Sequence, residues 1–271
     1  MNWAKLTNRG YELSLSTVNV KTKDFRWVMD FNLAHNKSKI NRLNVRDNSY
    51  EPSREGYSVG AVFSLKTAGL DENGLQMFYN KQGEKVSFND FFGLEYGYMM
   101  GGLIPFLKSN LSAEEYRNLF TYEGTTEPKF TGGWINRFYY KNFDLTVSAS
   151  FVLDQTVQEQ PFYNPVQTSP GQNYSRRMSQ IWSPDNTSGK YPRIMGTYTE
   201  GEENWAYQWL GMLDPGNSYR KYDYWFKKMS YMRINSIRLG YTFPERLLGH
   251  IGFSSARISF EARNPFVFGS S

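Results

Sequence analysis

The sequence lacks cysteine altogether, contains only two histidines and has no long apolar run. Without cysteine, neither a disulfide framework nor thiolate chemistry is available. No stretch approaches the ~18 apolar residues of a membrane-spanning helix. His35 and His250 have no partner at metal-ligand or triad spacing. We therefore predict no catalytic residue, no metal ion, no cofactor and no enzymatic activity.

Aromatic residues, by contrast, are abundant: they make up 17% of the 271 residues, while the mean hydropathy is −0.62. This combination predicts β-strands with one apolar side, joined by polar loops. The formal charge of +5 is modest, and the basic residues alternate within the predicted strands, which favours a solvated face over a nucleic-acid site. Residues 1–20 show no signal-peptide pattern, so either the protein is not exported or its front end is missing.

The clearest β-pattern lies between Trp134 and Phe151. Apolar and polar residues alternate strictly from Phe143 onwards, which is typical of a strand with one apolar face. Before it, Trp134, Phe138 and Tyr140 share one parity, broken only at Asn136, and Lys141-Asn142 predicts a tight reversal. The segment therefore predicts an aromatic hairpin.

Similar alternation occurs in residues 11–16, 25–33, 232–243 and 256–263. The first two of these predict a second hairpin that turns at residues 21–24, with residues 35–40 as a strand end that runs into a loop. Residues 56–66 predict a further strand. The parity changes near Asn235-Ser236, which predicts a β-bulge there.

Regular alternation disappears from Leu153 to Trp225. More than seventy residues without a pattern is too long for a loop in a compact soluble domain. Barrels of the outer membrane combine such excursions with short turns at the opposite end. The asymmetry therefore favours a barrel, while a soluble β-sandwich that binds carbohydrate and a porin-like structural barrel remain alternatives.

Three segments resemble the C-terminal part of the SusC/RagA family of TonB-dependent outer-membrane transporters. They are Tyr122–Gly133 (Y-E-G-T-T-E-P-K-F-T-G-G), Ser230–Pro244 (S-Y-M-R-I-N-S-I-R-L-G-Y-T-F-P) and Arg257–Phe268, which contains A-R-N-P-F. Weaker similarities occur at residues 8–12 and 182–186 and at Pro192-Arg193. All of them follow the order of the family from the first residues to the last.

The resemblance implies an all-β fold, a transmembrane antiparallel β-barrel of which this chain is the later third of about 22 strands, with long extracellular loops. Residues 1–271 are then the C-terminal part of the barrel, and residues 153–225 are a long extracellular loop region within it. On the same resemblance, the plug domain, the TonB box and the closing strand are expected to be absent from this stretch. Pro265 stands where the family has leucine, which predicts a strand end or a bulge at that position.

The resemblance also implies a function and partners. It predicts part of an importer of oligosaccharides or peptides in the outer membrane of Bacteroidetes, surrounded by outer-membrane lipid. Energy would come from the TonB complex, through parts outside this chain, and a SusD-like lipoprotein would form the lid. We predict no nucleic-acid partner.

The predicted site residues fall into three groups. Loop aromatics are expected either to contact the ligand or to pack the loops against each other or the lid: Tyr163, Tyr174, Trp182, Trp205, Tyr207 and Trp209. Charged residues of the last strand are expected to line the lumen: Arg257, Glu261 and Arg263. Aromatics of the two hairpins are expected to face lipid or its interface: Trp27, Trp134, Phe138 and Tyr140.

Overall fold

The computed structural model describes residues 4–44, 49–99, 104–169, 171–195, 201–249 and 252–270. Its strands, in chain order, are β1 (Ala4–Lys21), β2 (Phe25–Leu43), β3 (Ala61–Ser64), β4 (Thr67–Leu70), β5 (Gln76–Tyr79), β6 (Lys85–Val86), β7 (Leu94–Met99), β8 (Ile104–Ser109), β9 (Thr121–Thr125), β10 (Phe130–Tyr140), β11 (Phe143–Gln158), β12 (Phe226–Thr242) and β13 (Arg257–Ser270). The α-helices are short: α1 (Phe88–Phe92), α2 (Ala113–Arg117), α3 (Gly201–Gln208) and α4 (Glu245–Leu248). No helix within these ranges is long and apolar enough to cross a membrane.

Six long strands form one antiparallel sheet in the order β1-β2-β10-β11-β12-β13. Strands β3 to β9 belong to the connection between β2 and β10. Two connections are long: residues 44–129, here called insertion A, and residues 159–225, called insertion B. Because β2 and β11 run in the same direction, both insertions leave the same end of the sheet, the long-loop end. The opposite, short-turn end carries the connections at residues 22–24, 141–142 and 243–256.

The two predicted hairpins are confirmed. β1 pairs with β2 and β10 pairs with β11, both antiparallel. Lys141 opens the two-residue turn with a φ of 51°, and its backbone N–H donates to the carbonyl of Asp24 at 2.9 Å. This bond ties the two neighbouring turns together at the short-turn end.

The predicted bulge at Asn235 is confirmed, and so is the bulge predicted at Pro265. Ile234 and Ser236 pair with consecutive residues of β11, so Asn235 is extra on that side. On the other side Ile234 pairs with Phe266 and Ser236 with Arg263, so Asn264 and Pro265 lie opposite Asn235. Proline is tolerated here because the bulge needs no ladder hydrogen bond from its nitrogen.

Three strand boundaries differ from the predictions. β2 continues through the polar stretch 35–40 to Leu43, because β1 pairs with it throughout and Ile40 also bonds to residues 56 and 57. β11 runs past Leu153 to Gln158, because a bulge with Asp154 at a φ of 55° breaks the alternation without ending the strand. Residues 56–66 form a strand only over β3.

The sheet has one apolar face and one polar face. A single row of paired residues crosses all six strands on the apolar face: Leu15, Phe31, Trp134, Ala149, Ile234 and Phe266. Nothing in the described part of the chain covers the outer strands, where Phe260 is 70% exposed and Phe266 is 55% exposed. A second sheet packed on this face, which the sandwich alternative requires, does not occur among the described residues.

The buried core lies in the insertions instead. Residues from both insertions share one aromatic cluster, in which Trp225, Tyr222, Tyr116, Phe78 and Phe92 are almost fully buried. Two local features of insertion A follow directly from its sequence. Ser112 and the side chain of Glu115 form the capping box of α2, and residues 71–74 form a turn.

Candidate functional site

Ionic contacts cross the polar face of the sheet. Arg137 of β10 pairs with Asp30 of β2. Arg257 of β13 bonds to both carboxylate oxygens of Asp144 of β11, at 2.8 and 2.7 Å. The second pair reaches over the intervening strand β12, where the residue beneath it is Gly240. A Cβ atom on Gly240 would overlap both charged groups, so the glycine is what allows the contact.

The predicted lumen residues of β13 lie on this polar face. Glu261 stands directly opposite Arg238 of β12, and its carboxylate accepts from Arg263 at 3.3 Å. Together with the Arg257 pair, these contacts give the polar face alternating charges that remain open to water. Such a surface offers hydrogen-bond donors and acceptors to a polar solute.

The predicted girdle aromatics lie on the apolar face. Trp27 and Phe138 are paired across β2 and β10, with ring centroids 5.7 Å apart. Asn136, which interrupts the apolar parity, accepts a hydrogen bond from the indole N–H of Trp27 at 3.0 Å. The one polar residue of β10 on this face is therefore satisfied by a neighbour on the same face, which is what a membrane environment requires.

Insertions A and B are joined by backbone and side-chain hydrogen bonds. The N–H of Leu65 donates to the carbonyl of Lys221, and the N–H of Asp223 donates to the carbonyl of Leu65. The hydroxyl of Thr67 donates to the Asp223 carboxylate at 2.6 Å. These bonds make residue 65 and residue 222 an isolated parallel bridge between the two insertions.

Asp214 is the second connection between the insertions. Its carboxylate accepts the hydroxyl of Tyr116 from insertion A at 2.8 Å and the backbone N–H groups of Gly216 and Ser218 from insertion B. Burial raises the pKa of Tyr116 well above its ordinary value, and the nearby Asp214 carboxylate adds to the shift. The phenol therefore stays a neutral donor to Asp214.

Arg177 occupies a crowded position within insertion B. Its guanidinium carbon lies 4.5 Å from the ring centroid of Phe162, and one of its nitrogens donates to the hydroxyl of Tyr191 at 2.7 Å. It also pairs with Glu159, which in turn contacts Lys227 at 3.0 Å. Burial raises the pKa of Glu159, but hydrogen bonds from Lys227 and Arg177 outweigh it, so the net pKa is lowered.

The predicted ligand-contacting aromatics divide by burial. Tyr163, Trp182 and Trp209 are between 3% and 8% exposed. Tyr163 donates its hydroxyl to the carbonyl of Pro192, and Trp182 packs under the guanidinium of Arg193, 5.4 Å from its ring centroid. These contacts match the alternative stated above, in which the loop aromatics pack the loops together.

The other three predicted aromatics are more accessible. Tyr174 is 38% exposed, while Trp205 and Tyr207 are half-buried against the shared core. Trp205 stacks on Tyr96 of insertion A with centroids 5.6 Å apart. The structure therefore does not bring the six residues into one pocket.

A polar pocket of about 400 Å³ was missed by the sequence reasoning. It lies within insertion B and is lined partly by Tyr163, Asn164, Asn217 and Arg220. Its two walls come from residues about fifty positions apart, so no local pattern reports it. The only sequence signal is the aromatic and basic run 219–228 directly before β12.

The next question is whether the described ranges contain a metal-binding cluster or a histidine with polar partners. No group of three His, Cys, Asp or Glu residues suited to a metal ion occurs among them. His35 lies between the rings of Tyr11 and Phe130, with centroids 5.1 and 5.2 Å away. His250 lies outside the described residues.

Comparison with known proteins gives consistent matches over nearly the whole chain. TonB-dependent receptor P3 of Formosa agariphila is 26% identical over 285 residues, which cover 98% of this chain and 25% of that receptor. TonB-dependent receptor P39 of the same organism is 23% identical, with 98% and 27% covered. No family model matches the chain. The predicted resemblance to TonB-dependent transporters is confirmed.

Solved structures agree on the fold. The RagAB peptide transporter matches with a TM-score of 0.65 and 18% identity, covering 98% of this chain and 26% of that one. The RagAB peptide importer in its closed-closed state matches with a TM-score of 0.64 and 19% identity, covering 97% and 26%. The six-stranded sheet thus has the fold of a section of these transporter barrels, and the predicted outer-membrane location is confirmed by the same similarity. The chain spans about a quarter of the length of these relatives.

Proposed function

We propose that this chain forms part of an outer-membrane importer that depends on the TonB complex and works with a SusD-like lipoprotein. The main support is the similarity to TonB-dependent receptors over 98% of the chain. Outer-membrane nutrient import is the coarser activity that these relatives share. In this proposal residues 1–271 are a C-terminal part of the barrel, insertions A and B are extracellular, and the plug domain belongs to the remaining length of the protein.

We further propose peptides as the substrate class rather than oligosaccharides. The RagAB structures are named as a peptide transporter and a peptide importer. The polar face of this chain also carries paired charges of both signs, as in Asp144–Arg257 and Glu261–Arg263. Peptides carry charged termini and side chains that such a face can pair with, whereas neutral oligosaccharides carry no charge.

Among the loop aromatics, we propose Tyr174, Trp205 and Tyr207 as the ligand or lid contacts, because their rings keep accessible surface. Tyr163, Trp182 and Trp209 instead hold insertion B together. Arg257, Glu261 and Arg263 are proposed to line the lumen, in keeping with their place on the polar face of β13.

Uptake of labelled peptides and of labelled oligosaccharides by cells that express the full-length protein tests this proposal. We expect peptide uptake that disappears when either TonB or the lipoprotein is removed. Oligosaccharide uptake alone would reassign the substrate, and uptake that persists without TonB would favour the porin-like alternative.

Variants test the loop contacts within the same assay. Tyr174→Ala is expected to raise the peptide concentration needed for half-maximal uptake several-fold. Tyr79→Ala removes a similarly exposed tyrosine, 41% accessible, from insertion A and is expected to leave uptake unchanged. Equal effects of the two variants would contradict a specific role for Tyr174.

A further inference from the structure

The long-loop end of the β1–β2 hairpin concentrates positive charge. Residues 4–10 and 36–43 contain no Asp or Glu but five basic residues: Lys5, Arg9, Lys37, Lys39 and Arg42. The strand register places Arg9 directly opposite Lys37, and Lys5 directly opposite Arg42. Like charges in directly opposed positions destabilise a sheet. The placement therefore favours the binding of an anion from outside the hairpin.

The same register shows which face carries this charge. Arg9 and Lys37 share the parity of Tyr11 and His35, so they lie on the apolar face of the sheet. The rings of Tyr11, His35 and Phe130 form an unbroken row there. Aromatic rows of this kind mark the level where the membrane core meets the headgroups. The cations Arg9, Lys37 and Lys39 lie beyond that row, at the headgroup level.

A cavity of about 690 Å³ adjoins this row and supplies further cations. Its lining includes Lys37, Lys39, Lys129 and Lys228. Within the described ranges none of these four ammonium groups forms an ion pair with a carboxylate. The lining also contains three carboxylates: Glu123, Glu127 and Asp154. Glu123 is paired with Lys66 and also accepts from Ser64, while Glu127 accepts from the hydroxyl of Ser38, which lines the same cavity.

We propose that the basic patch formed by Arg9, Lys37 and Lys39, with the cavity beside it, binds the phosphate group of a glycolipid in the outer leaflet. A phosphate offers several acceptor oxygens and a negative charge to three neighbouring cations. Clusters of basic residues at the membrane surface attract anionic headgroups. The acyl chains of the same lipid would lie along the exposed apolar face below, so a lipid fits the site better than a free anion does.

The proposal rests on the outer-membrane setting of the importer and not on its substrate. The test uses the full-length protein in detergent, with bisphosphorylated lipid A and its dephosphorylated form as probes. We expect the phosphorylated probe to bind at least tenfold more tightly. The triple variant Arg9→Gln, Lys37→Gln, Lys39→Gln should weaken that binding about 100-fold, at roughly fivefold per cation.

A matched control removes the same charge from the other end of the same hairpin. The triple variant Lys21→Gln, Lys23→Gln, Arg26→Gln should bind the phosphorylated probe as the unmodified protein does. Equal weakening in both triple variants, no preference for the phosphorylated probe, or displacement of the lipid by an equal concentration of inorganic phosphate would overturn the proposal.

A folding defect is tested separately. Heat-modifiable migration in gels shows whether each variant still forms a barrel, and Lys37→Gln alone, with an expected loss of about fivefold, replaces the triple variant if that one does not fold. Unchanged binding by folded Lys37→Gln would again overturn the proposal. If the unmodified protein binds the phosphorylated lipid but takes up no peptide, that result would count against the proposed transport function alone.

Discussion

Among single residues, Gly240 is the one that leaves space for the Asp144–Arg257 ion pair. It lies beneath the Asp144–Arg257 pair, and a Cβ atom there would overlap both partners. The pair connects β11 to β13 across β12 without a direct strand contact between them. The ion pair can therefore form only because residue 240 has no side chain. The positions of the charged residues in the sequence do not reveal this.

We expect Gly240→Ala to separate Arg257 from Asp144. Because both groups remain partly exposed to water, the loss in the free energy of unfolding should be modest, about 1 kcal/mol. The measurement is urea unfolding of the folded barrel in detergent. In an Arg257→Ala background the same substitution should cost clearly less, and an equal cost in both backgrounds would show that the ion pair is not the cause.

Acid is expected to loosen insertion B through Glu159. The pKa of this carboxyl is lowered from its ordinary value of 4.5. A lowered pKa in the folded state means that the charged form contributes stability above pH 4.5, and that this contribution is lost as the pH falls through the lowered value. Tryptophan fluorescence should report the change, because Trp225 stacks on Tyr191 beside Arg177.

The variant Glu159→Gln tests this pH dependence directly. It should lower stability at neutral pH and reduce the acid-dependent change below pH 4.5. A fluorescence titration that is identical in the variant and the unmodified protein would assign the acid response to another group.

At the scale of elements, the long strands were predictable because one face meets lipid and the other meets water. That requirement produces the alternation of apolar and polar residues in the segments 25–33 and 143–151. The same reasoning located the bulge at Asn235, since a bulge is the one local event that changes parity. It failed at residues 35–40 and 153–158, where strand pairing continues beyond the apolar band and no longer demands alternation.

Deletion of Leu239 should prevent assembly of the barrel. Leu239 pairs with Leu145 of β11 and with Phe260 of β13 in regular ladders, so without it the neighbouring residues of β12 must shift by one position, which moves apolar side chains to the polar face. We expect loss of the protein from the outer-membrane fraction and loss of heat-modifiable migration. Deletion of Asn235 is the control and should still assemble, because the residues on either side of Asn235 already pair with adjacent residues of β11.

At the scale of the whole molecule, the insertions could not be predicted from sequence. Their core is built from rings far apart along the chain: Phe78 packs against Tyr222, and Phe92 lies 5.9 Å from Trp209. Because neither insertion buries its aromatics alone, neither has a local hydrophobic period. The same aromatic packing leaves little accessible surface on Tyr163, Trp182 and Trp209, which are three of the candidates for ligand contact.

Asp214→Ala should loosen both insertions at once. The substitution leaves the buried hydroxyl of Tyr116 and two backbone N–H groups without their acceptor, at a cost of about 2–3 kcal/mol. Limited proteolysis should then cut insertion A as well as insertion B faster than before. Asp185→Ala, at an exposed position of insertion B, is the control, and faster cleavage of insertion B alone would contradict the coupling.

The shared core of the insertions also limits how such proteins can exchange specificity. A chimaera that receives only one insertion from a relative would join two halves of unrelated aromatic packing, with unmatched partners at Leu65 and Asp214. Recombination should therefore succeed only when residues 44–129 and 159–225 travel together. New substrate preferences in these proteins would then arise by paired replacement and not by the transfer of single loops.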